Sequence, residues 1–346
     1  MGEGRGGAGV SGAVSSRSVD LSVIVINWNT ADYLAGCLDS LQQCHLDGLK
    51  AEVWVIDNAS SDGSADLVRT RYPWARLQAN ARNLGFAAAN NAVMRQARGR
   101  VFFLLNADMV VPAGTTAELF GRMAAASDVG VVSCRQVDSQ GNSLESYMFD
   151  YMDGRIPGAV EPRSQPREDG DGLEVAWVWG SGMMVRREVF ERLGGFDESF
   201  FMYYEDLEWC WRIRRAGWKI VCYPDLHVTH FVRRSTSRVP AQTTAIRLVA
   251  GELALFQRHM SPRRFRRFII GRFLYSLRGV VFYRLMLALA PCEKYRTKHL
   301  RYTVNAKAMI ARSPALRRLR LRWWRVVDRL KRRGAAPARG ASARRD

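Results

Sequence analysis

Leu21-Ser22-Val23-Ile24-Val25-Ile26-Asn27 is an almost unbroken aliphatic run that ends in a polar side chain. A short segment that is apolar on both alternating faces reads as a strand buried on two sides, as in a parallel sheet. The pattern returns twice. Glu52 to Asp57 (E-V-W-V-I-D) is a second such strand, and Val101 to Leu105 (V-F-F-L-L) is a third that runs into Asn106-Ala107-Asp108. Helical spacing fills the intervals. Ala31 to Gln43 carries Tyr33, Leu34, Cys37, Leu38 and Leu41 on one face. A polar turn from Asp57 to Ser64 leads into a helix over Ala65 to Tyr72, Arg76 to Ala79 is a short strand, and Gly85 to Arg98 reads as a third helix. Strands alternating with helices predict a doubly wound α/β sheet.

Downstream the alternation loosens. Val129 to Cys134 is another strand, and Val175 to Val185 is strand-like around Gly180-Ser181-Gly182. Between them residues 150–173 are rich in Gly, Pro and charge, a loop of the length that lids and binding loops have. A helix over Arg187 to Leu193 stops at Gly194-Gly195. An aromatic and acidic stretch from Phe196 to Asp206 then opens a helix that runs to Ala216 and is capped by Gly217. Trp218 to Tyr223 is a strand, Pro224 interrupts it, and Val228-Thr229-His230 follows.

The charge is divided between two parts of the chain. Of 346 residues, the first 240 hold 25 Lys and Arg against 29 Asp and Glu, whereas the remainder holds 27 against 4. A near-neutral body therefore precedes a strongly basic extension, and any polyanion argument belongs to the extension alone. At 100° per residue, Phe265, Ile269, Ile270, Phe273, Leu274, Leu277, Val280 and Val281 share one half of a helical wheel. A second helix over Ala315 to Arg333 sets Leu316, Leu319, Trp323 and Val326 opposite a row of arginines, the pattern of a helix lying on a membrane surface. No stretch is long and apolar enough to span a bilayer. The Gly/Ser/Arg-rich start has no apolar core of a secretory signal, and the six cysteines are scattered, in keeping with a reducing compartment.

Polar side chains collect where strands end. Asn27, Asp57 and Asp108 each follow a strong strand, and in an open parallel sheet the carboxyl ends of strands face the ligand crevice. Asn106 and Asp108 stand two apart, a spacing at which both point to one side of an extended segment. Glu205, Asp206 and Glu208 open a helix, where the dipole favours carboxylates. Nearby aromatics can exclude water and raise a carboxylate pKa toward that of a general base.

In order along the chain, V-I-V-I-N-W-N (23–29), V-I-D-N-A-S-S-D-G-S (55–64), N-L-G-F (83–86), L-L-N-A-D (104–108), W-G-S-G-M-M-V-R-R (179–187), G-G-F-D-E-S-F-F-M-Y-Y-E-D-L-E-W (194–209), R-R-A-G-W (214–218) and V-T-H (228–230) resemble the family 2 glycosyltransferases of the GT-A fold, and among them the bacterial rhamnosyltransferase-like branch. The resemblance spans roughly residues 21 to 235. It implies a GT-A catalytic domain over residues 20–240. Composition and charge add a disordered tail at 1–19, a basic helical membrane-associating region at 241–334 and a second disordered tail at 335–346.

By the same resemblance, Asn27, Asp57, Asn83, Gly85, Asn106 and Asp108 bind the donor. Asp108 and His230 hold a divalent cation, Mg2+ or Mn2+. Asp206 is the catalytic base with Glu205 beside it, and Trp179, Gly180, Ser181 and Trp209 line the acceptor or lid side. The implied reaction is inverting transfer from a nucleotide-sugar donor, with dTDP-rhamnose the branch-level expectation and UDP-hexose or galactofuranose the alternatives. The acceptor is a lipid-linked or polysaccharide glycan at the cytoplasmic face of an anionic membrane. The sequence departs from the family's usual Asp-x-Asp triplet at Asn106, which can ligate through its carbonyl but adds no charge. Two other readings set aside the transfer: a scaffold, which Asn106 suggests, and a nucleic-acid binder acting through the basic tail. No nucleic-acid motif stands in that tail, and no nucleic-acid partner is expected.

Overall fold

The computed structural model describes residues 19–149, 172–231 and 239–312. The loop expected at 150–173 lies almost wholly outside them, as do the helix expected at 315–333 and both expected tails. The chain divides into two compact units, residues 1–235 and 236–346.

The first unit contains strands β1 (Leu21–Asn27), β2 (Ala51–Asp57), β3 (Arg76–Ala79), β4 (Val101–Asn106), β5 (Met109–Val110), β6 (Val129–Val137), β7 (Tyr147–Met148), β8 (Leu173–Glu174), β9 (Trp177–Val178), β10 (Met183–Arg186) and β11 (Lys219–His230). Its helices are α1 (Ala31–Gln43), α2 (Ser64–Arg71), α3 (Gly85–Met94), α4 (Thr115–Ala125), α5 (Arg187–Leu193) and α6 (Glu205–Arg215). Among the described residues the main sheet has the order β3-β2-β1-β4-β10-β6-β11-β5, with β8 also paired to β11, and β7 pairs with β9 apart from it. Strands β1 to β4, β6 and β11 run one way, while β10, β5 and β8 run against their neighbours.

Alternation along the strands builds the two cores. Val23, Val25, Val53, Val55 and Phe103 face α1, α2 and α4, packing on Leu34, Leu38, Val68 and Leu119. Ile24, Ile56, Phe102 and Leu104 face the other way, onto Phe86, Val93, Val189, Trp209 and Ile213 from α3, α5 and α6. A sheet with helices on both faces leaves only its strand ends open to ligand.

The first unit departs from the expected pattern in three ways. The segment 175–185 is not one strand. Gly182 adopts φ +78° and donates its N–H to the Leu104 carbonyl, which turns the chain between β9 and β10 and sends β10 back antiparallel to β4. Pro224 does not end its strand, because β11 continues through it with a register shift between Tyr223 and His227, a place where a missing N–H costs no ladder bond. Helix α3 stops at Met94, four residues early. A few residues on, a Cβ at Gly99 would lie 2.4 Å from the Ser22 backbone nitrogen, so only glycine lets the chain enter β4 that close to β1.

The second unit holds α7 (Ala241–His259), α8 (Pro262–Leu289) and α9 (Glu293–Arg312). Ser261 caps α8, accepting from the Arg264 N–H, with Pro262 in the first turn where its missing donor is harmless. The wide apolar arc expected on this helix splits. Ile269, with Phe265, Phe268 and Phe273, packs against Val249, Leu253, Val304 and Met309 of α7 and α9. Ile270, Leu274, Tyr275, Val281, Phe282, Leu285 and Leu289 stay exposed, Leu289 at 72%.

Candidate active site

The carboxyl ends of β1, β2, β4, β6 and β11 lie on one edge of the sheet, and the turn before β10 returns to the same edge. Almost every residue expected at the site falls there, in three groups.

The first group is a clamp on the loops after β1 and β2. Asn27 Nδ2 donates to Asp57 Oδ1 at 3.0 Å and to Ser60 Oγ at 3.1 Å, while Asn27 Oδ1 accepts from Thr30 Oγ1 at 2.7 Å. Asp57 Oδ2 accepts from the Ser60 N–H. With Asn27 1% exposed and Asp57 3% exposed, these bonds order the loop that follows each strand. Asn58, which the sequence reading passed over, ties in the next segment. It donates to the Gly85 carbonyl and accepts from Asn80 Nδ2 and the Leu84 N–H. Asn83 Oδ1 accepts the Gly85 N–H at 2.9 Å. Gly85 itself, at φ +80°, has no room for a side chain, since a Cβ would sit 2.1 Å from the Phe201 carbonyl oxygen. That oxygen accepts the Phe86 N–H, so the Asn83–Phe86 turn is bolted to the loop that precedes α6.

The second group is built by a two-residue pairing, β5 on β11, which sets Met109 opposite His230. Asp108 Oδ1 comes within 3.3 Å of His230 Nε2, and both residues are buried. His230 Nδ1 lies 2.7 Å from Gln136 Oε1, and Gln136 Nε2 donates to the Ser181 carbonyl. The Trp179 ring stands edge-on to the imidazole at 6.1 Å. Asn106 is half-buried, with its side chain bonded to no other described residue. Among the described residues no cluster of three or more His, Cys, Asp or Glu forms a closed metal cage. One carboxylate, one imidazole nitrogen and an amide oxygen are nonetheless a donor set suited to a hard divalent cation that takes its remaining ligands from water and substrate phosphate.

The third group opens α6. Tyr203 and Tyr204 both hold left-handed backbone, φ +74° and +72°, a costly conformation for bulky residues that delivers Glu205 and Asp206 to the sheet edge. Glu205 is buried, and its Oε2 has no hydrogen-bond partner among the described residues. Burial, and then the adjacent Asp206 charge, push its pKa well above the ordinary carboxylate range. Asp206 is half-buried. Its Oδ2 accepts the Gly180 N–H at 3.0 Å and its Oδ1 accepts the Leu207 N–H at 2.8 Å. Desolvation raises its pKa, and those N–H groups oppose the rise. Glu208 belongs to the fold: it chelates Arg212, whose guanidinium also donates to the carbonyls of Leu193 and Gly195.

Trp209 is a correction. Expected on the acceptor or lid side, it is fully buried, packs on Phe196 with ring centroids 4.5 Å apart, and donates its indole N–H to the Gly194 carbonyl. It is core. The neighbouring expectation fares differently, because Trp179, Gly180 and Ser181 touch His230, Asp206 and Gln136 in turn and so join the second and third groups.

A family model described as glycosyl transferase family 2 matches residues 22–194. The chain is 28% identical over 262 residues to the N-acetylglucosaminyl-diphospho-decaprenol L-rhamnosyltransferase of Mycobacterium tuberculosis, covering 69% of this chain and 85% of that protein. It is 42% identical over 57 residues to rhamnosyltransferase WbbL of Escherichia coli, 16% of this chain and 22% of that protein. Among solved structures it is similar to the mannosyltransferase PcManGT from Pyrobaculum calidifontis, in complex with GDP-Man and Mn2+, at 21% identity and TM-score 0.50 over 84% of this chain and 86% of that one. It is also similar to GalNAc-T7 with UDP, GalNAc and Mn2+, at 15% identity and TM-score 0.52 over 86% of this chain and 56% of that one. These likenesses agree with an α/β GT-A fold that carries C-terminal helices. The family match covers half of the chain, and the protein is a member of glycosyltransferase family 2.

Proposed function

We propose that this glycosyltransferase moves rhamnose, with inversion, from a nucleoside-diphosphate donor to a lipid-linked or polysaccharide acceptor, using Asp206 as the base. The observation that carries the reading is the contrast at the open sheet edge. Asp206 is a half-buried carboxylate with a raised pKa, and it is joined through residues 179–181 to a cation-suited pair, Asp108 and His230. In a direct displacement the acceptor hydroxyl gives its proton to Asp206 as its oxygen bonds to the sugar C1. The bond from C1 to the diphosphate oxygen breaks, and the nucleoside diphosphate leaves with the electron pair. Asp108, His230 and the Asn106 carbonyl would hold Mg2+ or Mn2+, which when bound balances the charge of the leaving diphosphate. The polar turns around Asp57, Asn83 and Gly85 form the donor side. In this reading Asn27 serves by holding Asp57 in place.

The choice of rhamnose and of a lipid-linked acceptor is supported by the names of relatives, the Mycobacterium tuberculosis rhamnosyltransferase above all. Among the described residues no helix is long and apolar enough to cross a membrane. The exposed apolar flank of α8 begins beside Arg263, Arg264, Arg266 and Arg267, an arrangement suited to lying in an anionic headgroup layer at the cytoplasmic face. Incubation of the full chain and Mn2+ with dTDP-rhamnose, UDP-glucose or UDP-galactofuranose, each with a polyprenyl-diphosphate-linked N-acetylglucosamine acceptor, tests the reading. Transfer from dTDP-rhamnose alone is expected. Transfer from a UDP sugar in its place overturns the donor, and donor turnover without acceptor glycosylation overturns the acceptor.

A further inference from the structure

Gln136 is completely buried near the end of β6, and its side-chain amide is bonded at both ends. Nε2 reaches the Ser181 carbonyl oxygen at 2.5 Å, and Oε1 reaches His230 Nδ1 at 2.7 Å. A peptide carbonyl can only accept, so Ser181 determines which end of the amide is the NH2. The end facing His230 is then the amide oxygen, which also only accepts, and Nδ1 must therefore carry a proton. A neutral imidazole has one donor nitrogen and one acceptor. In the neutral ring, with the proton fixed on Nδ1, Nε2 keeps its lone pair, and that lone pair faces Asp108 Oδ1 at 3.3 Å. Two acceptors turned toward each other do not satisfy one another, whereas a cation between them satisfies both. Gly182 preserves the arrangement. A Cβ there would stand 3.0 Å from Gln136 Nε2, on backbone already at φ +78°.

We propose that Gln136 is a positioning residue that locks His230 in the Nδ1–H tautomer and so presents Nε2 as a divalent-cation ligand beside Asp108. Metal-binding histidines commonly need such an outer partner on the far nitrogen, and its loss costs about 10–100-fold in metal affinity. The proposal rests on the reading of Asp108 and His230 as a cation site. Ser181 thereby becomes part of the support for that site, through its backbone carbonyl.

Two measurements on the full chain test it. With 15N-labelled histidine and the metal-free protein, long-range proton–nitrogen correlations, assigned by loss of the signal in His230→Asn, report which ring nitrogen is protonated. The expected result is Nδ1–H; a wild-type His230 protonated on Nε2 overturns the proposal without any variant at position 136. Electron paramagnetic resonance then follows Mn2+ uptake in the presence of dTDP or UDP for wild type, Gln136→Met and Gln136→Glu. Both variants deprive the Ser181 carbonyl of its donor, but only Glu still accepts from Nδ1. Gln136→Met is expected to bind Mn2+ about 10–100-fold more weakly, with His230 no longer confined to one tautomer, and Gln136→Glu to bind at or above the wild-type level. Wild-type uptake that Gln136→Met leaves unchanged overturns the role of Gln136 alone. A wild type that takes up no Mn2+ with either nucleotide overturns the cation site, and the proposal with it.

Discussion

Two carboxylates at the same sheet edge are treated in opposite ways. Asp206 receives two backbone N–H groups, from Gly180 and Leu207, and stands next to a buried Glu205 whose pKa is driven up. The Asp108 side chain faces the ring nitrogen of His230, whose other nitrogen is already held by Gln136. A carboxylate oriented by N–H donors is fixed in place yet keeps lone pairs for a proton. One set against another acceptor is suited to a positive ion. The lesson is that the two acids are told apart by what the rest of the fold supplies to them, and that residues 179–181 supply both.

The largest effect that separates the two stations is on turnover. Asp206→Asn keeps the shape and one of the two N–H contacts but puts an NH2 group in place of the other acceptor oxygen and removes the base, so kcat is expected to fall by about 10²–10⁴, measured as product formed per enzyme at saturating donor. Glu205→Gln, which leaves Asp206 in place, is expected to be milder in the same assay. Asp108→Asn is expected to act on the other station. Mn2+-dependent donor binding, followed by calorimetry, should weaken by about tenfold or more, since losing the charge of a direct ligand costs at least what losing an outer partner of a ligand does. Equal donor affinity in Asp108→Asn and wild type would erase the difference between the stations.

A finer comparison lies inside the acidic pair. Glu205 has a raised native pKa, so the native state holds a proton that the unfolded chain has already released. Its contribution to stability is complete below about pH 4.3, the ordinary Glu value, and is lost as pH rises through the raised native pKa. Glu205→Gln removes that titration. Thermal unfolding is expected to show the variant gaining on the wild type as pH is raised from 4 to 8; a constant difference across that range would mean Glu205 is not perturbed. The smallest expected effect is on the exposed flank of α8. Leu285→Ser is expected to weaken binding to anionic vesicles about tenfold, from the ~1.5 kcal/mol of burying one leucine side chain, with activity on a soluble acceptor unchanged. Sedimentation with vesicles reads it, and equal binding would remove α8 from the membrane surface.

What could be read from the sequence followed the range of the interaction. The strands β1, β2 and β4 announce themselves because burial on both faces leaves an aliphatic run in a short window, and their polar ends come with them. Asp206 is legible only by resemblance, since the helix start alone favours all three acids equally. Gln136 is not legible. The apolar run of β6 breaks at Arg135, so the strand reads as ending at Cys134, and the partner that gives Gln136 meaning arrives 94 residues later. Asn58 was hidden in a polar turn where any Asn reads as a turn former. Trp209 stands among the acids and tyrosines that the resemblance places at the site, while its helical phase turns it inward onto Phe196. Pro224 misled because a bulge, which tolerates proline, has no local signature.

The most direct test is to measure turnover and donor affinity together on one preparation of Asp206→Asn. Calorimetric titration with the nucleotide-sugar donor and Mn2+ should give an affinity close to wild type. Rapid-quench turnover with acceptor on the same sample should be slower by about two orders of magnitude or more. Near-normal turnover, or an enzyme that fails to bind donor, would contradict the assignment of proton transfer to Asp206 and of donor binding to the Asp108 side of the site.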